Sequence, residues 1–227
     1  MTVAGFAVAL KLLKSWHLKK VENEQLAKEK VNAELEVLKG QLHPHFMFNT
    51  LNSIYSLAMK KSDLTPSAIL KLSHLMRYML TDCTHTTVEL KTEIEILQHY
   101  MELEKMRFAH RLDMSVNMNG DINGQQIAPL ILMPFVENSF KHGVNEMVEQ
   151  AWISLDLEVR GQELKFKLTN GRSEKYKSQQ TVHVGLQNVT RRLRLLYPGA
   201  HDLKIHEDAD TFSVGLNLRL DHQRNGR

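Results

Sequence analysis

What is scarce in this sequence narrows its chemistry first. The 227 residues hold one cysteine, Cys83, so no internal disulfide framework can form, and a reducing compartment suits the chain. No residues at metal-ligand spacing surround Cys83, which reads as a spectator. A charge of one sign is scarce too. The 29 Lys and Arg residues against 26 Asp and Glu leave a net +3, too little to argue for nucleic acid as a partner. Long hydrophobic runs are missing: the stretch TVAGFAVAL (2–10) falls far short of the ~20 residues that span a bilayer. It also lacks the basic start and cleavage site of a signal peptide. There is no internal repeat and no low-complexity tract. Hydrophobic residues make up 42% and charged residues 24%, a balance that fits a globular protein of one large domain or two small ones.

The apolar run at 2–10 is followed by KLLKSWHLKK (11–20), which supplies lysines and Trp16. That order resembles the cytoplasmic exit of a membrane helix, so residues 1–20 are expected to be membrane-proximal, with an upstream sensing region outside this chain. The alternative is the start of an amphipathic helix in a soluble protein.

From Val21 to Lys39 neither proline nor glycine occurs. Val31, Leu35, Leu38 and Leu42 step by four, three and four, the spacing of a coiled-coil seam that needs a partner helix. Gly40 and Pro44 then predict a kink. Beyond Pro44 the helical pattern resumes to about Lys61. On a 3.6-residue wheel His45, Asn49, Asn52 and Ser56 form one narrow polar stripe. Phe46, Phe48, Leu51, Ile54, Tyr55, Leu57 and Ala58 fill most of the rest, the pattern of a helix buried in a bundle. Thr65 as N-cap and Pro66 open a further helix to about Thr81, with Ile69, Leu72, Met76 and Met79 expected inward. Another helix spans about Glu89 to His110, with Leu90, Ile94, Leu97, Met101, Glu104 and Phe108 on its seam.

The texture changes near Phe108 to Arg111. RLDMSVNM (111–118) alternates like a strand, and PLILMPFVENSFKHG (129–143) reads as a buried helix closed by Gly143. AWISLDLEVR and ELKFKLTN alternate with period two around Gly161 and predict a hairpin. VGLQNVTRRLRLLY (184–197) is helical, and Arg191, Arg192 and Arg194 read as a solvated face. DLKIHED and TFSVGLNLRL predict two closing strands.

Four blocks carry a resemblance: QLHPHFMFNTLN (41–52), LEKMRFAHR (103–111), PFVENSFKHG (134–143) and VGLQNVTRRLRLLYPG (184–199). Their content and order resemble the LytS/YehU-like sensor histidine kinases from about Glu34 to Leu220. The resemblance implies an α+β chain with a helical dimerisation and phosphoacceptor region (21–110). A Bergerat-type α/β sandwich that binds ATP (111–221) and a tail (222–227) would follow. It implies autophosphorylation on His45 and phosphotransfer to an aspartate of a response regulator, by a homodimer at the cytoplasmic face of the cell membrane.

The residue types suit that chemistry. Phosphoryl transfer to histidine needs an imidazole with one neutral, accessible nitrogen in line with a γ-phosphate. His45 heads the polar stripe, and Asn49 could orient phosphoryl oxygens or a water. VENSFKHG is similar to the N-box, whose asparagine holds Mg²⁺ against the phosphates; this maps to Asn138, and a hard cation that keeps several waters needs only one or two protein oxygens. Glu137 is a candidate base beside it, and Lys141 and His142 are candidate phosphate contacts. At the first glycine box, LTNG, Thr169 stands where relatives carry an aspartate for adenine, and either Thr169 or Asn170, before Gly171, could bind the base. At the second box His183 replaces a glycine, while Gly185, Leu186 and Asn188 keep the pattern and offer backbone amides to phosphate. Arg107 and Arg111 are expected to make structural pairs across the junction. The substitutions at Thr169 and His183 also fit a rival reading, a dimeric scaffold whose catalytic site has decayed.

Overall fold

The computed structural model describes residues 11–22, 25–26, 44–147, 150–172 and 184–222, in two compact units, Met1–His43 and Pro44–Arg227. In the first unit, helix α1 covers 11–22 and exposes Leu12, Leu13, Trp16 and Leu18. Lys20 Nζ stands 5.5 Å from the centre of the Trp16 ring. The expected coiled-coil seam and its interruption at Gly40 lie outside the described residues. Among the described residues no helix is long and apolar enough to cross a membrane.

The second unit begins with three helices: α2 (Pro44–Met59), α3 (Thr65–Leu80) and α4 (Leu90–Phe108). Pro44 can open α2 because a first-turn N–H has no intrahelical acceptor to lose. On α3 the N-cap is Leu64 rather than Thr65, and the Thr65 hydroxyl donates instead to the Ser62 carbonyl at 2.8 Å. The seam of α4 is buried as its spacing predicts: Leu90, Ile94, Leu97, Met101 and even Glu104 are inside.

The other two helices depart from expectation. Among the described side chains of α2, Phe46, Thr50 and Ile54 are buried, while Phe48 is 67% exposed, Tyr55 66%, and Leu51 and Met59 also face out. On α3, Leu72 and Met79 turn inward as expected. Ile69 and Met76 are exposed, and Ala68, Leu75 and Tyr78 take the inner positions. The reason is geometric: one flank of the α2–α3 hairpin packs against α4, and no described residue of the same unit covers the other.

Five strands, β2 (Leu112–Gly120), β4 (Ala151–Arg160), β5 (Glu163–Gly171), β6 (His201–Glu207) and β7 (Thr211–Arg219), form a sheet in the order β2-β4-β5-β7-β6. Only β2 and β4 are parallel; the other pairs are antiparallel, and Gly161 at φ +58 makes the tight β4–β5 turn. Alternation buries Ile153, Leu155, Leu157, Leu164, Phe166, Leu168, Val214 and Leu216. Against them lie α5 (Met133–Asn138), with Phe135 and Phe166 rings 5.9 Å apart, and α6 (Val184–Leu196), with Leu186, Val189 and Leu193 buried. The fold is α+β. A ribbon of two residues per strand, β1 (Val88–Glu89) with β3 (Gln126–Ile127), ties the start of α4 to the segment leading into α5.

Candidate nucleotide and phosphoacceptor site

The segment that leads into α5 is held by buried polar side chains. Leu130 adopts φ +54, a left-handed conformation that costs a residue with a β-carbon roughly 1–2 kcal/mol. Glu93 of α4 accepts from the Leu130 N–H at 3.0 Å and the Leu132 N–H at 3.4 Å, and from the Tyr78 hydroxyl of α3. From the other side Arg192 of α6 donates to the carbonyls of Pro129 at 2.7 Å and Leu130 at 3.1 Å. The Tyr197 hydroxyl accepts from the Ala128 N–H at 2.8 Å. Burial pushes the Glu93 carboxyl up, opposed by Tyr78, the two backbone N–H groups and the Arg192 charge. Burial lowers the guanidinium of Arg192, and Glu93 opposes it. The two side chains bracket the segment from opposite sides and satisfy backbone groups that water cannot reach. Arg192 is thus 3% exposed, not part of a solvated face; Arg191 and Arg194 are exposed as expected.

The block 129–143 is not one continuous helix. After α5 the chain turns through a π-helical segment, Ser139–Gly143, the kind of wide turn that re-aims side chains at functional sites. Glu137 and Asn138 end α5 half-buried, Lys141 is exposed and His142 is half-buried. Burial, then the charges of Lys141 and Arg172, lower the pKa of His142. Arg172, unnoticed in the sequence, pairs with Glu207 at 2.8 Å. A β-carbon on Gly143 would stand 2.2 Å from Asn170 Nδ2, so glycine lets the end of β5 close against this turn.

Asn170 is 2% exposed. Its Nδ2 donates to the Gly171 carbonyl at 2.8 Å, and its Oδ1 is buried with no hydrogen-bond partner. Such a group costs about 1–3 kcal/mol unless something donates to it. Thr169 occupies the opposite face of the sheet, in register with Ser154 and Ser213. Of the two residues the sequence left open, Asn170 faces the helices. The signal was present: Leu164, Phe166 and Leu168 are inward, so alternation carries 170 inward too. Gly185 is exposed at the start of α6 with open space around a notional β-carbon; Leu186 is buried and Asn188 half-buried. His183 lies outside the described residues. Among the described residues no group of three His, Cys, Asp or Glu side chains could hold a metal ion.

His45 is the second residue of α2; the exposure of its imidazole, expected from the sequence, lies outside the described residues. The next side chain, Phe46, is 4% exposed and stacks on Tyr100 of α4 with centroids 4.8 Å apart. Tyr100 meets Phe140 of the π turn edge-on at 5.9 Å, and Phe140 lies 6.3 Å from Phe108. Burial, then the charges of Glu137 and Glu104, push the Tyr100 phenol well above its ordinary range. Asn49 is half-buried, and Asn52 and Ser56 are exposed. Arg107 bonds Glu104 at 2.9 Å within α4 and reaches Asn145 at 2.6 Å; Arg111 donates to the Met147 carbonyl at 2.7 Å. These arginines join the end of α4 and the turn after it to the segment after the π turn, through the Asn145 amide and the Met147 carbonyl.

Residues 33–112 match the family model described as histidine kinase. The chain is 27% identical over 188 residues to the sensor histidine kinase BtsS of Escherichia coli, covering 83% of this chain and 33% of that protein. It is 26% identical over 212 residues to the sensor protein LytS of Enterococcus faecalis, covering 88% and 36%. The chain thus spans about a third of the length of these curated relatives. Among solved structures, the histidine kinase domain of the blue-light-activated histidine kinase of Erythrobacter litoralis aligns with a TM-score of 0.45 at 12% identity, over 88% of this chain and 96% of that one.

Proposed function

We infer, from the premise that the chain resembles the LytS-like sensor histidine kinases, that it transfers the γ-phosphoryl group of ATP to His45 and then to an aspartate of a response regulator. The observation that carries the reading is Asn170: a buried carboxamide with its Nδ2 engaged and its Oδ1 uncommitted, at the strand end against the N-box turn. An exocyclic amine such as that of adenine is the donor this acceptor lacks. An inward-facing Asn170 also weakens the decayed-scaffold reading, because Thr169 need not serve the base.

Around that anchor, Asn138 would supply one oxygen to Mg²⁺, which neutralises phosphate charge when bound. Lys141, the backbone amides near Gly185 and the neighbouring Leu186 and Asn188 would hold and close over the phosphates, with His142 and Gly171 lining the same wall. A neutral His45 nitrogen attacks the γ-phosphorus; a P–N bond forms, the bond to the β–γ bridging oxygen breaks, and ADP leaves with the electron pair. Glu137 takes the proton from the second ring nitrogen, with Asn49 orienting the ring. Most of the rate enhancement is positioning and charge neutralisation.

The exposed stripes of α2 (Phe48, Leu51, Tyr55, Met59) and α3 (Ile69, Met76, Leu80) support a homodimer built on these helices. The lysine-bearing helix α1, with Trp16 and leucines outward, supports work at the cytoplasmic face of a membrane. Incubation with γ-labelled ATP and Mg²⁺ tests the reading. Wild type should gain acid-labile label that a cognate regulator discharges, and His45→Ala and Asn138→Ala should each abolish it. A folded wild-type dimer that takes no label would instead establish the scaffold.

A further inference from the structure

Resting on that reading, we infer that Glu93 is a positioning residue for the nucleotide site: through the backbone of 130–132 it sets the helix that ends at Asn138, and Tyr78 ties that setting to the helical stem. No step of the proposed transfer uses this carboxyl. It is 2% exposed, beside Leu90 and Leu97 on the buried side of α4, surroundings in which a polar group is costly unless donors meet it. Three donors do: the Leu130 N–H at 3.0 Å, the Leu132 N–H at 3.4 Å and the Tyr78 hydroxyl of α3.

The path from this carboxyl to the N-box is short. Leu132 is the N-cap of α5, and its carbonyl accepts from the Phe135 N–H at 3.2 Å. The residue that Glu93 holds therefore belongs to the first turn of the helix whose last residue is Asn138. Leu132, Met133, Phe135 and Val136 are all buried, so α5 moves with its first turn. The backbone in the grip of Glu93 is also strained. Leu130 at φ +54 keeps a conformation that persists only where its surroundings impose it, and such strain gathers at functional sites. Released, Leu130 returns to a negative φ, and the direction in which the chain enters α5 changes with it. Arg192 grips the Pro129 and Leu130 carbonyls from the other side, and it lies on α6 about two turns beyond Gly185. The segment is thus a junction of the two helices that carry the phosphate-side residues. Glu93 and Tyr78 are the stem's half of that junction: a shift of α3 along α4 changes the donors at Glu93 and with them the hold on Leu130.

Hydrogen exchange and ATP binding, both on the full chain, test the inference. Glu93→Gln keeps one acceptor oxygen for Tyr78 and Leu130 and turns an NH₂ toward the Leu132 N–H, so exchange at Leu132 should quicken by about tenfold. ATP should then bind about tenfold more weakly in Mg²⁺, because binding must first restore the setting of α5. With Mg²⁺ chelated, Asn138 has no ion to meet, and wild type and Glu93→Gln should bind ATP equally well. In an Asn138→Ala background, Glu93→Gln should add almost nothing to the Mg²⁺-dependent loss, since residues that act through one another are not additive. Tyr78→Phe removes a single donor and should move both readouts the same way by a smaller factor, which keeps the test open where Glu93→Gln does not fold. Full additivity with Asn138→Ala, or a lowered melting temperature with unchanged Mg²⁺-dependent affinity, makes Glu93 a prop of the core alone and overturns the inference. Failure of the kinase reading looks different. A wild type that binds no ATP overturns both, whereas one that shows the Glu93 dependence yet takes no label on His45 sinks the kinase and upholds the positioning role.

Discussion

At the scale of single residues, burial and two neighbouring cations push His142 the same way. Burial acts first, and the charges of Lys141 and Arg172 add to it, so its pKa lies below the ordinary histidine value of about 6.5. A depressed folded value means that the neutral ring favours the fold. That contribution is fully present above the unfolded value and is lost as pH falls through the folded one. An NMR titration of the ring should therefore show a midpoint below 6.5, and Lys141→Ala should raise it. Added ATP should raise it as well, because phosphate oxygens favour the imidazolium. A midpoint that ignores both changes would separate His142 from the phosphate wall.

Residues also show where the sequence spoke and where it could not. The inward side of β5 was legible at Asn170, because Leu164, Phe166 and Leu168 set the phase. Arg192 was not, since it sits between Arg191 and a nearby Arg194 on an amphipathic helix, and its counter-charge, Glu93, is far away in the chain. Long-range compensation of a buried charge leaves no local pattern.

At the scale of elements, the two helices of the hairpin expose apolar stripes that no described residue of the chain covers. Burying one such side chain contributes about 1.5–3 kcal/mol, which is a tenfold or greater change in a dissociation constant. Phe48→Glu and Tyr55→Glu should each weaken self-association by at least tenfold in sedimentation experiments. The far-ultraviolet circular dichroism should stay unchanged, because both side chains are more than 60% exposed within the chain. Helical spacing predicted the extents of α2 and α4 within a few residues, and alternation predicted the β4–β5 hairpin. The π turn at Ser139–Gly143 and the β1–β3 ribbon were invisible. A widened turn keeps helical composition, and strands of two residues are too short to alternate.

At the scale of the whole molecule, a nucleotide that binds only the folded state should stabilise the unit Pro44–Arg227. At a hundred times its dissociation constant the gain is ~2.7 kcal/mol, visible as a rise in melting temperature with ATP and Mg²⁺. The rise should shrink when Mg²⁺ is chelated and vanish in Asn138→Ala. Gly143→Ala should reduce it by displacing the Asn170 carboxamide, which reports on the base pocket independently of the metal.

The charge bracket around Leu130 also bears on how such proteins can be recombined. A chimera that grafts another protein's stem onto this sheet at Leu112 would discard Glu93 and Tyr78 while retaining Arg192, stranding a guanidinium in a dry interior. Leaving a buried charge uncompensated costs about 3–5 kcal/mol, a large share of what holds any domain together. The transferable cassette therefore runs from α3 onward, and swaps made at the composition boundary should yield insoluble hybrids.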